Sequence, residues 1–169
     1  MRDLLLKLPK TDIHCHLDGS LRPATILELA KERGVKLPAD TVPELALHVQ
    51  VPPSCQSLKD FLDVFTLIYP LLRDSAAVER IAYELIEDCA RENILHVEVR
   101  FAPELQRTSR FSTDEVVEAA LKGLARGFRD FQTTSSVIIC LFRSHAPKEN
   151  QRAFDTLQKY FRRDATLEE

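Results

Sequence analysis

The chain has 169 residues, 44% of them hydrophobic and 29% charged, enough for one domain that hides roughly 70% of its unfolded surface on folding. Twenty-three Lys and Arg against 26 Asp and Glu give a formal net charge of -3 with no long run of like charge, which argues against nucleic acid or a membrane surface as a partner. Near the start the longest apolar stretch is Leu4 to Leu6, and Cys15, Cys55, Cys89 and Cys140 are widely spaced, so neither a signal peptide nor a membrane span is expected, the location expected is cytoplasmic, and the cysteines read as free buried thiols.

Thr11 to Leu17 follows Pro9 and runs into Asp18-Gly19, the pattern of a short strand closed by a turn. A helix is expected from Pro23 to the stop at Gly34, burying Ile26, Leu27, Leu29 and Ala30. Between Val35 and Ser57 the prolines leave room for at most a short helix over Pro43 to Val49. Leu58, Phe61, Leu62 and Phe65 then recur at helical spacing on one helix that Pro70 ends, and residues 35–74 together read as a helical insertion. Val78, Ile81, Ala82, Leu85, Ile86 and Cys89 mark a second, stronger amphipathic helix.

Ile94 to Ala102 alternates Leu95, Val97, Val99 and Phe101 against His96, Glu98 and Arg100, a strand ended by Pro103 whose polar face suits an internal charge-paired network. A helix over Thr113 to Phe131 is expected to bury Val116, Val117, Ala120, Leu121, Leu124 and Phe128. Val137 to Phe142 reads as a buried strand stopped by Pro147, with His145 just past it and open to a ligand role. A last helix from Lys148 to Phe161 offers Phe154, Leu157 and Phe161 as its apolar stripe, and residues 162–169 carry no pattern. Strands and helices thus alternate in an α/β arrangement with parallel pairing. Either a doubly wound sheet or a (β/α) barrel satisfies this order, and a chain with four glycines and no Gly-x-Gly-x-x-Gly tilts toward the barrel.

His14 and His16 sit two apart on the first strand, a spacing that places side chains on one face about 6.6 Å apart, so both imidazoles can converge on one cation. Cys15 then points the other way, toward the helices, and is excluded as a ligand. Asp18 shares the side of the histidines where the strand ends, and Gly19 permits the sharp turn beside it. Taken alone, the same pair also suits two polar residues satisfied in a core or at a sheet edge.

The wider pattern is more specific. Leu8-Pro9-Lys10-Thr11 leading into His14-Cys15-His16-Leu17-Asp18-Gly19-Ser20 closely resembles the opening of adenosine deaminases. Leu37 to Val42, Phe61-Leu62-Asp63-Val64-Phe65, Arg80 to Glu84 and Val97 to Pro103 are similar to that family in the same order, over a span from about Leu5 to Phe161. The resemblance implies a (β/α)8 barrel that hydrolytically deaminates adenosine and deoxyadenosine to inosine, deoxyinosine and ammonia. It implies one Zn2+ as cofactor, His14 and His16 as two of its ligands, and His16 and Asp18 beside the substrate, Asp18 on the ribose. It also implies a lid over the pocket lined by Leu58, Phe61, Leu62 and Phe65.

The family's remaining ligands and its proton-shuttling Glu come from a His-Ala-Gly-Glu segment, a later His and an Asp-Asp pair, none of which occurs here. The expectation is therefore the amino-terminal part of a single barrel domain, about three βα units, inactive in isolation. The competing expectations are a noncatalytic module associating through open sheet edges, and a deaminase of another aminopurine such as adenine or N6-methyl-AMP.

Overall fold

Secondary structure in the computed structural model, which describes residues 1–51 and 55–164, follows cap and pattern signals along the chain. A short helix α1 (Arg2–Lys7) leads into strand β1 (Lys10–His16). Helix α2 (Pro23–Arg33) has Pro23 in its first turn and stops at Gly34, whose φ of 64° favours a residue without a Cβ. Helices α3 (Val42–Val49), α4 (Leu58–Asp63) and α5 (Phe65–Ile68) and a 3-10 turn, Tyr69–Leu71, precede α6 (Ser75–Arg91), which Asp74 caps by accepting from the Ala77 amide. Strand β2 (Ile94–Phe101), a 3-10 turn at Pro103–Leu105, helix α7 (Thr113–Phe131), strand β3 (Thr134–Ile139) and helix α8 (Pro147–Asp164) follow, α7 opening on a Ser112–Glu115 capping box.

The three strands form one parallel sheet in the order β1-β2-β3. A doubly wound sheet reverses its strand order at a switch point, whereas sequential order is the winding of a (β/α) barrel, and this chain is a partial barrel. Val97, Val99 and Phe101 of β2 join Ile81, Leu85 and Ile86 of α6 and Val116, Ala120 and Leu124 of α7 in the core behind the sheet. The last two helices of that layer pack closely because glycines lie at their contact. A Cβ on Gly123 would fall 2.2 Å from the Glu79 carbonyl oxygen, and one on Gly127 2.6 Å from Ile86 Cβ.

Several expectations are corrected. The single helix expected over Leu58 to Phe65 divides at Val64, because the Thr66 hydroxyl donates to the Asp63 carbonyl at 2.6 Å and the Leu67 amide turns to Val64 O instead. Strand β3 lies three residues earlier than expected and is at most half-buried, since pairing with β2 runs from His96–Thr134 to Phe101–Ile139 and so recruits Thr134, Ser135 and Ser136. Pro147 opens α8 rather than ending a strand. On α8 Ala153 and Thr156 are buried, while Phe161 is 76% exposed and Phe154 is exposed too.

That helix docks through Arg152 on Glu104, Thr156 and Lys159 on Asp114, and Tyr160 on Glu118, and it runs on to Asp164, into the stretch expected to be unpatterned. Residues 165–169 lie outside the described ones. Phe128 and Leu95 are exposed. The four cysteines are free, as expected, but Cys89 alone is buried and Cys15, Cys55 and Cys140 are half-buried. Burial pushes the Cys89 thiol up to about 12.

Candidate functional site

The site lies where β1 ends. Asp12 pairs with Val97 and Cys15 with Val99, so two residues, Ile13 and His14, stand opposite Glu98 in an irregular stretch of β1. The Asp12 carboxylate accepts from the His14 amide at 2.9 Å and closes that irregularity. Beyond it His16 pairs with Arg100. His14 and His16 then come together on the open, inner face of the sheet, with ring centroids 5.4 Å apart and the His16 side chain 52% exposed.

Cys15 is directed to the opposite side, against the core, with Sγ 3.3 Å from Ser20 Oγ. Burial raises its thiol above the ordinary value, and its direction away from the two imidazoles takes it out of reach of a cation between them. The turn that follows is held by Ser20 Oγ donating to His16 O at 2.6 Å, by Gly19 N donating to the same oxygen at 3.3 Å, and by Leu17 N donating to Arg100 O at 3.0 Å.

The turn carries Asp18 inward until its side chain is 5% exposed. One carboxylate oxygen, Oδ2, accepts from the Tyr69 hydroxyl at 3.0 Å. The other, Oδ1, is buried with no hydrogen-bond partner among the described residues and lies 4.0 Å from His16 Nδ1. Burial pushes the Asp18 carboxyl up, opposed by the Tyr69 hydrogen bond, its own backbone and His16. Burial and the neighbouring Asp18 likewise hold the Tyr69 hydroxyl above its usual value.

Arg100 completes the group. Its Nη1 lies 3.2 Å from His14 Nε2, and because a guanidinium has only donors, His14 Nε2 is the acceptor and the ring proton sits on Nδ1. Arg100 Nε is buried without a hydrogen-bond partner among the described residues. His14 thus offers its lone pair to a cation on the inner face. That observation, with two accessible imidazoles and a buried acceptor beside them, fits part of a divalent metal site. Among the described residues there is no cluster of three His, Cys, Asp or Glu that would make a full ligand set.

The expected lid residues lie on α4 and α5. Leu58, 72% exposed, and Phe61 and Leu62 are exposed, while Phe65 is half-buried and approaches the site. A Cβ on Gly19 would meet Phe65 Cζ at 3.8 Å. Phe61 meets Phe65 edge-on at 5.8 Å, and Phe65 stacks on Tyr69 at 5.8 Å. Tyr69 and the direct contact of Arg100 with His14 were not legible as site features. The recurrence of aromatic rings at Phe61, Phe65 and Tyr69, four residues apart, was the available signal for Tyr69.

His96, Glu98 and Arg100 do not form the expected charge-paired network among the described residues. His96 Nδ1 bonds Thr134 Oγ1 at 2.9 Å, and Arg100 goes to His14. His145 packs against Phe142 with the rings tilted and their centroids 5.1 Å apart, in the turn before α8.

Comparison with known proteins matches residues 9–168 to the family model described as adenosine deaminase. The chain belongs to the adenosine deaminase family. It is 41% identical over 154 residues to the adenosine deaminase of Streptococcus mutans, covering 91% of this chain and 44% of that one. The chain therefore spans less than half the length of the curated relatives it matches. Among solved structures it is similar to an amidohydrolase from Burkhoderia ambifaria with bound Zn, at 27% identity and a TM-score of 0.81, covering 94% of this chain and 42% of the other. It is also similar to the N6-methyl-AMP deaminase of Arabidopsis thaliana, at 26% identity and a TM-score of 0.73, covering 94% and 48%. Among the described residues no helix is long and apolar enough to cross a membrane.

Proposed function

We propose that this chain supplies the first βα units, within one barrel domain, of a zinc-dependent deaminase that converts adenosine and deoxyadenosine to inosine, deoxyinosine and ammonia in the cytoplasm. The observation that carries the reading is the pair of inner-face imidazoles, one already giving its lone pair to the Arg100 guanidinium, beside a buried and half-unpartnered Asp18. His14 and His16 hold the metal in this reading. A zinc ion held by these two imidazoles and further ligands would supply Lewis acidity, lowering the pKa of water at the site from about 15.7 toward ~7.

Asp18 accepts from a ribose hydroxyl through Oδ1, and His16, 4.0 Å away, borders the same substrate. Residues 35–74 serve as the lid. Leu58, Phe61, Leu62 and Phe65 give it an apolar surface, largely exposed here, that would cover the purine and exclude water. A neutral nucleoside agrees with a chain of net charge -3 that has no basic run.

A catalytic zinc takes three protein ligands besides water, and the described residues bring two candidates together. In this reading the 169-residue chain alone does not turn over adenosine. Mixing it with the complementary carboxy-terminal part of the Streptococcus mutans relative is expected to restore inosine formation, abolished by His16→Ala. Turnover by the chain alone, or restored turnover indifferent to His16→Ala, would contradict the assignment. The Arabidopsis neighbour motivates a second substrate, N6-methyl-AMP, and parallel assays of adenosine, adenine and N6-methyl-AMP in the restored mixture decide between them.

Association of two copies through the outer strands is a separate property consistent with the sheet. β1 and β3 each pair on one side among the described residues, and Ile13 on β1 is 67% exposed. Sedimentation showing a monomer at high concentration would exclude it.

A further inference from the structure

We propose that Tyr69 is a positioning residue for the Asp18 carboxylate, holding Oδ2 so that Oδ1 alone is presented to a nucleoside hydroxyl. The inference rests on the nucleoside reading above and adds to it a residue that neither the motif nor the family pattern singled out.

A carboxylate has two chemically equivalent oxygens and rotates about its last side-chain bond. At Asp18 the equivalence is broken. Oδ2 accepts from the Tyr69 hydroxyl at 3.0 Å, and Oδ1 is buried on the side of His16 without a partner among the described residues. A buried acceptor left unmatched is costly, and a polar ligand that fills it recovers that cost when it binds. The hydroxyl of Tyr69 therefore decides which oxygen is left for the ligand and where it points.

The anchor is rigid for a reason visible in its neighbours. Tyr69 opens the 3-10 turn Tyr69–Leu71, and Ile68, Leu71 and Leu72 around it are all buried in the core. Pro70 fixes one backbone angle of the turn. From above, the Tyr69 ring is stacked by Phe65, which Phe61 meets in turn. Core packing thus sets the hydroxyl from below and the lid aromatics from above, so a movement of α4 and α5 reaches Asp18 through one stacked ring.

The test uses the isotope-labelled 169-residue chain as wild type, Tyr69→Phe, Asp18→Asn and the double variant, each titrated with adenosine and with its 2′-, 3′- and 5′-deoxy analogues. Tyr69→Phe keeps the ring and its stacking. Its expected effects are a shifted Asp18 carboxyl carbon resonance and adenosine binding weakened about tenfold, the loss that follows from a hydrogen bond to a charged group. In the Asp18→Asn background the same change should cost less than twofold, and the penalty should vanish for the analogue lacking the hydroxyl that Asp18 receives.

Independent, multiplying losses in the double variant would overturn the proposal, as would an Asp18 resonance indifferent to Tyr69→Phe. If no form of the chain binds adenosine even when mixed with the complementary carboxy-terminal part, the nucleoside reading fails. The Asp18 resonance then still decides whether Tyr69 holds the carboxylate.

Discussion

His14 Nε2 has one lone pair, and in this structure Arg100 uses it at 3.2 Å. A divalent cation bound to His14 through that nitrogen would displace the guanidinium, which cannot lose its proton to make room. Arg100→Leu is accordingly expected to tighten zinc binding by about fivefold, the equivalent of roughly 1 kcal/mol for one lost competing hydrogen bond, measured by competition with a chromophoric chelator. Unchanged or weaker binding would mean that Arg100 and the metal do not compete. The histidines themselves were legible because spacing on a strand dictates facing, and Cys15 was set aside by the same alternation. The irregular pairing at Ile13 and His14 was not legible, since it depends on where β2 lies beside β1. The place of Asp18 at the end of β1 was legible, but its near-complete burial was not, because that comes from Tyr69 and the turn around it.

Among the elements, α6 and α7 were readable from their apolar spacing, yet what lets them approach is the absence of side chains at Gly123 and Gly127. An alanine in a helix is favoured over glycine by about 1 kcal/mol. At Gly123 that gain is outweighed, because the new Cβ would lie 2.2 Å from the backbone oxygen of Glu79, which no rotamer change relieves. Gly123→Ala is expected to destabilise the fold by about 2 kcal/mol net, the overpacking cost exceeding the propensity gain. Gly127→Ala meets side-chain atoms of Ile86 and should cost less. Urea unfolding of both variants checks the order.

Helix α8 was readable as a helix but not in its docking, which uses polar pairs where the pattern offered phenylalanines. Two of those pairs give a pH dependence. Burial raises the Glu104 carboxyl, but Arg152 and Thr113 outweigh it and leave it below its ordinary 4.5. Lys159 and then Thr156 hold Asp114 below its ordinary 3.8. Groups lowered in the folded state stabilise it above their ordinary values and lose that contribution as pH falls through the lowered ones. Protection of α8 amides from hydrogen exchange is therefore expected to be constant above pH 4.5 and to decline below it. The decline should be shallower in Lys159→Met, and protection independent of pH down to acid unfolding would contradict the pairing.

At the scale of the whole molecule, alternation of strands and helices left two windings open, and sequential pairing of β1, β2 and β3 selects the barrel. The position of β3 shows the limit of such reading. Its β-branched run, Val137 to Ile139, is only the second half of the strand, because hydrogen bonding to β2 rather than hydrophobicity sets where β3 begins. The same winding leaves the inner face of the sheet open and gathers on it the imidazoles, Arg100 and the polar residues of β2 and β3. Zinc titration of the chain followed by cobalt substitution tests that gathering most directly. One ion is expected to bind, with cobalt absorption characteristic of imidazole and oxygen ligands. Affinity should fall at least tenfold in His14→Ala and in His16→Ala, since losing even a partner that only orients a ligand costs about that much, and should be unaffected by Cys15→Ala. Binding that survives both histidine substitutions, or that depends on Cys15, would contradict the assignment of His14 and His16 to the metal.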